Sequence, residues 1–167
     1  MAQALLVSRK DIVKFTSMNG NVDTDKFIQY IKIAQDIYIQ NYLGTELLDK
    51  IEADIIADTL TGDYATLVTD YVKPMLVHWA MVEYLPYAAY TISNKGVYKG
   101  SSENAENVDK NEIDFLIEKE RSIAQYYTER FIDYMSFNAS SKFSEYYSNS
   151  NEDVYPDKDS DFSGWVL

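Results

Sequence analysis

Cysteine is absent from the 167-residue chain, and histidine occurs once, at position 78. Without cysteine the protein has neither disulfides nor thiolate metal ligands, a composition that suits a reducing cytoplasm. A nucleophile activated by an imidazole would have to use His78, which lies in an apolar stretch beside Trp79. A single histidine in such a stretch is usually a hydrogen-bonded core residue. The sequence therefore predicts no catalytic centre of this kind.

Motifs for other chemistry are also missing. There is no Gly-x-Ser-x-Gly, and Lys95-Gly96 and Lys99-Gly100 lack the spacing of a phosphate-binding loop. The first residues, Met-Ala-Gln-Ala, show neither the basic region nor the cleavage pattern of a secretory signal peptide. We therefore expect no catalytic residues, no cofactor and no signal peptide.

Positive charge is scarce, because 15 Lys and Arg against 27 Asp and Glu give a formal net charge of −12. Proteins that bind nucleic acid gain much of their affinity when basic side chains neutralise phosphates. The acidic balance therefore argues against a protein that wraps DNA or RNA. The same charge is compatible with a wall that DNA passes without adhering.

Tyrosine is abundant, with 15 residues. Its side chain suits positions where one end is buried and the other meets water, as at protein interfaces. A tyrosine-rich rim around the core would use the residue in the same way. Composition leaves both explanations open.

Between Pro74 and Ile92, apolar and aromatic residues fall on every side of a 3.6-residue helix. Such a helix is either a buried core element or a membrane span. Glu83 near its middle, the polar His78 and the helix-breaking Pro86 argue against a span. We predict the central helix of an α-helical domain, with no membrane segment.

Periodicity and capping signals predict further helices on both sides of this stretch. Gly44 occupies the position where a left-handed residue ends a helix. Because Lys73 precedes a proline, it is biased away from helical geometry, and we expect a kink or a break there. The fold class is thus all-α, a single-domain bundle of about four to five helices. The helical segments run from Ser8 to Phe15, Asp23 to Leu43, Thr45 to Ala57, Asp63 to Val72 and Asp109 to Phe137.

Two regions lack the helical period. Residues 93–108 form a loop rich in Ser, Asn and Gly, in which Val97-Tyr98-Lys99 can form a short strand. Residues 138–167 mix charges with aromatic residues and predict an extended tail. We divide the chain into a helical domain of residues 1–137 and a tail of residues 138–167, and expect the core to fold without the tail.

Carboxylates at helical spacing are the pattern closest to metal chemistry, because Mg²⁺ enzymes built on helical bundles use acids three or four residues apart. Glu46, Asp49 and Glu52 have this spacing. We expect them to lie mostly on a solvent-facing side, so the sequence predicts no metal site.

Two further acids, Glu83 and Glu120, fall at positions that we expect to be buried. A buried carboxylate needs a partner or it becomes protonated. The structural explanation is pairing with Lys, with Arg or with His78.

Two groups of residues are candidates for a partner interface. The apolar side of the helix from Asp23 to Leu43 exceeds half of its circumference, more than one packing partner needs. This side lies inside the bundle or contacts another subunit. Aromatic residues in an irregular tail are good anchors for a neighbour. The candidates are Tyr30, Ile33 and Ile37 on the helix and Tyr155, Phe162, Trp165 and Leu167 in the tail.

The N-terminal half resembles a known family in three stretches, LLVSRKDIVKF, NGNVD and KFIQYIKIAQDIYIQNYLGTELLDKI. The centre of the likeness is Ala34-Gln35-Asp36 and Leu43-Gly44-Thr45-x-Leu47. These residues resemble the head–tail connector proteins of tailed bacteriophages, most of all those of crAss-like phages. The likeness covers roughly residues 4–137 and consists of helix-packing patterns, with no catalytic signature.

The resemblance implies an all-α subunit that assembles as a twelve-fold ring under the portal protein of the virion. Such a ring joins the portal to adjacent neck and tail proteins, and DNA passes through its channel without specific binding. The subunits would be made and assembled in the cytoplasm of the bacterial host. No enzymatic step is implied.

Two alternatives remain open from the sequence. One is a helical phage adaptor or regulatory protein that forms no ring, and the other is a metal-dependent helical hydrolase. Ring-shaped particles in electron micrographs would separate the first from a connector. Turnover that depends on Mg²⁺ would identify the second.

Overall fold

The computed structural model describes residues 3–18, 20, 23–88, 90–93, 96–99 and 109–159. Helical segments follow one another with short connections, and two of them are π-helical. In chain order the elements are α1 (Arg9–Phe15), α2 (Thr24–Ala34), a first π segment (Gln35–Ile39), α3 (Gln40–Leu43), α4 (Thr45–Ile56), α5 (Gly62–Thr66), a second π segment (Leu67–Val72), α6 (Lys73–Tyr84), a 3₁₀ turn (Leu85–Tyr87), β1 (Tyr90–Ser93), β2 (Gly96–Lys99), α7 (Lys110–Lys142) and a second 3₁₀ turn (Ser144–Tyr147).

The predicted all-α, single-domain fold class is confirmed, with 74% of the residues helical. Within the described ranges the strands form one antiparallel hairpin, in which Tyr90 pairs with Lys99 and Ser93 with Gly96. This hairpin contains the strand suggested for Val97-Tyr98-Lys99. Residues 100–108 of the predicted loop lie outside the described residues.

The helix predicted from Asp23 to Leu43 is present as α2, the first π segment and α3, which follow without a gap. The Asp23 carboxylate accepts a hydrogen bond from the backbone N–H of Asp25 and caps the first turn. Gly44 ends the helix with a φ of +77°, as predicted. The π segment adds one residue per turn, which shifts the faces of the helix on either side of it.

Of the kink or break predicted at Lys73, the break is wrong. Chain geometry is helical without interruption from Gly62 to Tyr84, through α5, the second π segment and α6. A proline inside a helix leaves a carbonyl of the preceding turn without its N–H donor. Here the wider π turn precedes Pro74, and the Asp70 carbonyl accepts from Nη1 of Arg130 at 3.4 Å. A donor from another helix thus satisfies this carbonyl.

The central position of α6 is confirmed, because each residue from Met75 to Val82 is buried. Its end is earlier than predicted, at Tyr84 instead of Ile92, because a 3₁₀ turn containing Pro86 and the hairpin follow. Trp79 stacks on Tyr38, with ring centroids 4.0 Å apart. No helix in the described part of the chain is long and apolar enough to cross a membrane.

The last long helix continues to Lys142, five residues past the predicted end. Phe143 and Tyr146, which follow it, are buried in the core. The division at residue 138 therefore differs from the structure, in which the tail up to Asp159 packs on the helices. The helix end was predicted too early because residues 138–142 are mostly polar, although they form a last helical turn in which Ala139 is buried.

Candidate interaction surfaces

The tail crosses the corner between α3 and α4. The backbone N–H of Thr45 donates to the Val154 carbonyl at 3.0 Å, and the N–H of Asp157 donates to the Asn41 carbonyl at 2.8 Å. These bonds satisfy backbone groups at the end of α3 and the start of α4, which have no partner within their own helices. Through them the tail becomes a cap for two helix termini.

Gly44 makes the close approach of the tail possible. A Cβ atom at this position would lie 2.7 Å from Cδ of Pro156, and the φ of +77° is unfavourable for residues with a side chain. The glycine therefore serves both the helix end and the packing of the tail. The sequence predicted the first role and gave no sign of the second.

Glu46 is half-buried beneath the tail, a correction to its predicted solvent-facing position. Its Oε1 accepts from the backbone N–H and from the hydroxyl of Ser150, both at 2.5 Å. Hydrogen bonds from the side chains of Ser148 and Ser150 hold the pKa of Glu46 below its ordinary value. The carboxylate thus holds the tail in place.

Gln35 anchors residues 3–7, the segment before α1 that we call the N-terminal arm. The sequence did not reveal this role. Its Oε1 accepts from the Leu6 N–H at 3.0 Å, and its Nε2 donates to the Ala4 carbonyl at 2.7 Å and to Glu52 at 2.8 Å. Glu52 is only 5% exposed, so its predicted solvent-facing position is wrong. Burial raises the pKa of Glu52, and the hydrogen bond from Gln35 partly opposes this effect.

Glu83 and Glu120, which we expected to be buried, are half-buried and have different partners. Nδ1 of His78 lies 2.7 Å from Oε2 of Glu120, which confirms one of the predicted pairings. Glu83 instead accepts from the hydroxyl of Tyr38 at 2.7 Å. Burial, and then this bond to Glu83, raises the pKa of Tyr38. Both acids are explained by packing, and neither points to a reaction.

Among the described residues, no group of three or more acids and histidine is arranged to hold a metal ion. The helically spaced Glu46 and Glu52 contact different segments, the tail and the N-terminal arm. Their hydrogen bonds account for both carboxylates as structural groups.

The interface candidates on α2 and the first π segment differ in exposure. Ile33 and Ile37 are 37% and 49% exposed, and they lie four residues apart on the same side of the helix. We call this pair the isoleucine face. Tyr30 is half-buried and stacks on Tyr87, with centroids 5.8 Å apart. Intramolecular packing therefore accounts for part of its surface.

The tail candidates are only partly described. Tyr155 is exposed, while Lys158 lies 5.4 Å from the centroid of its ring. Phe162, Trp165 and Leu167 lie outside the described residues.

A second apolar surface lies on α7. Phe115 is 69% exposed, and its neighbour Leu116 is 44% exposed. No residue of α7 before Ala124 is fully buried among those described. The signal in the sequence was the cluster of apolar residues from Ile113 to Ile117, which is too wide for one buried stripe.

The described residues thus show an all-α domain with two groups of exposed apolar side chains on its helices. The chain belongs to DUF6712, a family of unknown function, which it matches over residues 39–155. No curated protein and no solved structure matches the chain significantly. The family match runs from Ile39, just before α3, to Tyr155 in the tail and includes Gly44, while Pro156, which packs on Gly44, lies one residue beyond it.

Proposed function

We propose that the protein is a structural subunit of a ring, the head–tail connector of a tailed bacteriophage. In this function the ring joins the portal to the neighbouring neck and tail proteins of the virion. The proposal is supported by the resemblance of residues 4–137 to such connectors and by the surfaces described above. It needs no cofactor and no enzymatic step.

The observation that carries the proposal is the presence of two separate apolar surfaces on one subunit. A closed ring uses a heterologous interface, in which one patch of each subunit meets a different patch of the next. The isoleucine face and the exposed Phe115 and Leu116 of α7 are two such patches on different helices. Large exposed apolar residues cost free energy in water and are typical of protein interaction sites.

The charge of the chain supports a ring through which DNA moves. A net charge of −12 repels phosphate instead of attracting it. Repulsion fades beyond a Debye length of roughly 8 Å at physiological salt, so it opposes adhesion to the wall without blocking passage. We expect no duplex binding by the purified protein at this salt concentration.

The test is assembly of the purified protein, alone and with the portal protein of the same phage, followed by electron microscopy and by mass measurement in solution. Wild-type protein should give rings, with twelve copies as the expected number. Ile37→Glu places a charge in the interface and should weaken assembly by at least roughly tenfold, since burying an unpaired charge is costly.

Ser136→Glu is the matched control, because Ser136 is exposed on α7 about 31 Å along the helix from Phe115 and its hydroxyl donates to the Asp133 carbonyl in its own helix. This variant should assemble as wild type does. If the wild-type protein stays monomeric with the portal present, the ring proposal is wrong.

A non-ring adaptor is the second candidate, because the same exposed apolar surfaces suit the binding of one partner. The two functions differ in stoichiometry. A complex of one subunit with one partner, and no ring at any concentration, would favour the adaptor. Rings with a central opening would favour the connector.

A further inference from the structure

The last described part of the tail, residues 154–159, lies between two parts of the fold, and we call it the tail strap. On one side, Asp157 bonds to Asn41 at the corner between α3 and α4. On the other side, the ammonium group of Lys158 meets the 3₁₀ turn Ser144–Tyr147. We propose that Lys158 is a lock that holds the strap over the corner, and that the strap opens when this lock is released. The inference concerns the single subunit and does not depend on the connector function.

Neighbouring residues of the strap contact different parts of the fold. The backbone N–H of Asp157 donates to the Asn41 carbonyl at 2.8 Å. Burial, followed by the charges of Asp157 and Asp159, raises the pKa of Tyr42 to about 12, so both acids act on the corner. Lys158, between the two acids, instead places its Nζ over tyrosine rings. Successive side chains of an extended chain point in opposite directions, so the strap contacts both sides at once.

Three tyrosine rings surround the Lys158 ammonium. Its Nζ lies 4.9 Å from the ring centroid of Tyr147, 5.4 Å from that of Tyr155 and 5.6 Å from that of Tyr146. All three distances are within the roughly 6 Å over which the face of an aromatic ring attracts a cation. The rings of Tyr146 and Tyr147 meet edge-on, with an interplanar angle of 85°. We call these three rings the tyrosine cage, because aromatic rings arranged around a cation bind ammonium groups.

The tyrosine cage has one buried wall and two exposed ones. Tyr146 is only 3% exposed, whereas Tyr147 and Tyr155 are 47% and 46% exposed. Burial, followed by the neighbouring Tyr147 and Tyr155, raises the pKa of Tyr146 to about 12, so this ring stays neutral at physiological pH. Lys158 is itself exposed. The lock is therefore anchored in the core on one side and accessible to solvent on the other.

Two features of the tail oppose the closed position of the strap. The hydroxyl of Tyr42, at the covered corner, is buried without a hydrogen-bond partner among the described residues. Such burial costs free energy, and opening the strap would let water reach this hydroxyl. Glu152 has a φ of +53°, in the left-handed region that residues other than glycine rarely adopt. Closure of the strap therefore depends on contacts such as the Lys158 lock.

Residues 151–153 form the hinge on which the strap can open. All three are exposed, and the N–H of Glu152 donates to the Asn149 carbonyl at 3.3 Å in a tight turn. The buried Tyr146 precedes this turn and stays in the core when the strap moves. Opening uncovers the N–H of Thr45, which donates to the Val154 carbonyl at 3.0 Å in the closed position.

Amide hydrogen exchange reports directly on the strap, because the amides of Thr45 and Asp157 are both bonded across its contact with the corner. In Lys158→Gln the side chain keeps a similar length but loses its charge. We expect both amides to exchange at least roughly fivefold faster than in wild type, since the attraction of three rings for the cation is lost. Amides in α6, which report global unfolding, should change by less than roughly twofold.

Further variants separate the tyrosine cage from other effects of the substitution. A guanidinium also stacks on aromatic faces, so Lys158→Arg should keep the exchange rates within roughly twofold of wild type. Tyr147→Leu keeps an apolar side chain but removes one wall of the cage, and it should open the strap as Lys158→Gln does. Lys119→Gln removes a charge at an exposed position of α7 and is the matched control, which should have no effect.

Two results would overturn the proposal. Unchanged exchange at Thr45 and Asp157 in Lys158→Gln would show that the charge does not hold the strap. Equal acceleration in the strap and in α6 would show a loss of global stability and no separate opening. Ring assembly is measured separately on wild-type protein, so a failure of the connector function and a failure of the lock are distinguishable.

Discussion

The side chain of Trp79, on α6, contacts both the first π segment and α7. Its ring stacks on Tyr38 of the first π segment, and its Nε1–H donates to Oγ1 of Thr128 on α7 at 3.0 Å. Truncation would remove the stacking, open a cavity and leave the hydroxyl without this donor. We expect Trp79→Ala to lower the free energy of unfolding by about 3–5 kcal/mol.

Chemical denaturation measures this loss, and Tyr126→Ala is the control. Tyr126 is an exposed aromatic residue on α7, so its truncation should change stability by about 0.5 kcal/mol or less. A Trp79→Ala variant with an unchanged unfolding midpoint would contradict the central position of α6.

Asp11 links the N-terminus of α1 to α6. Its Oδ2 accepts from the N–H and the hydroxyl of Ser8, both at 2.8 Å, and lies 3.3 Å from Nζ of Lys73. Burial raises the pKa of Asp11, but these hydrogen bonds and the Lys73 charge outweigh burial and hold it below its ordinary value of 3.8. Folding therefore favours the charged form.

A pKa that is lower in the folded state adds stability above the unfolded value and loses it as pH falls through the folded value. At neutral pH we expect Asp11→Ala to cost about 1 kcal/mol, the usual value of a lost helix cap. The difference from wild type should shrink below about pH 4 as the carboxylate is protonated. Urea denaturation at several pH values measures it, and a constant difference would contradict the ionic contribution.

At the scale of elements, two π segments adapt long helices to their surroundings. The second accommodates Pro74, while the first begins at Gln35, whose side chain holds both the N-terminal arm and Glu52. Because a π turn carries an extra residue, the residues on either side of it present shifted faces. One continuous helix thus packs Phe27 and Tyr42 inward and leaves Ile37 exposed.

Gly44 gives the element-scale prediction. Its backbone, with φ +77° and ψ 158°, lies in a region used almost only by glycine, which costs other residues about 1–3 kcal/mol. In Gly44→Ala the clash with Pro156 adds to this cost. Gly62 is the control, because its φ is +61° but a Cβ added there would meet no atom within 4 Å.

We expect Gly44→Ala to destabilise the protein more than Gly62→Ala. The latter should lower the free energy of unfolding by about 1–2 kcal/mol. Combining Gly44→Ala with Pro156→Ala should recover part of the loss, because the ring atoms that clash are removed. A double-mutant cycle from thermal unfolding measures this coupling. If the free-energy losses of the two single variants add exactly in the double variant, the Gly44 and Pro156 positions are not in energetic contact.

At the scale of the whole molecule, the tail up to Asp159 is a structural part of the fold. Phe143 is fully buried, and its ring meets that of Tyr64 edge-on with centroids 5.2 Å apart. The hydroxyl of Tyr64 in turn donates to Glu145 at 2.7 Å. This arrangement ties α5 to the end of α7, which are far apart in the sequence.

Phe143→Ala should therefore cost about 3–5 kcal/mol, as for other buried aromatic residues. Phe137→Ala makes the same chemical change at an exposed position, and it should leave stability within about 0.5 kcal/mol of wild type. Thermal unfolding of both variants measures the two losses. If both variants lose little stability, and equally little, the result would support the division of the chain at residue 138.

The sequence by itself determined the helices and their class. Capping residues such as Ser8, Asp23 and Asp109 act within one turn, and the apolar residues around Trp79 are buried in any compact fold. Capping depends on residues within one helical turn, and burial depends on the apolar character of each side chain. The order of residues along the chain is therefore enough to predict both. The cost of a buried charge predicted a partner for Glu83 and for Glu120, with His78 as one candidate, and the structure then paired His78 with Glu120.

Only the tertiary structure decided the features that depend on distant partners. The helix continues through Pro74 by way of the π segment before it, and Arg130, 56 positions away, donates to the Asp70 carbonyl. Glu52 is buried because Gln35 and the N-terminal arm cover it. The tail folds back because Gly44 leaves room for Pro156, a contact between residues that no local pattern connects. In each case the free energy comes from a contact formed across the fold, which periodicity along the chain does not encode.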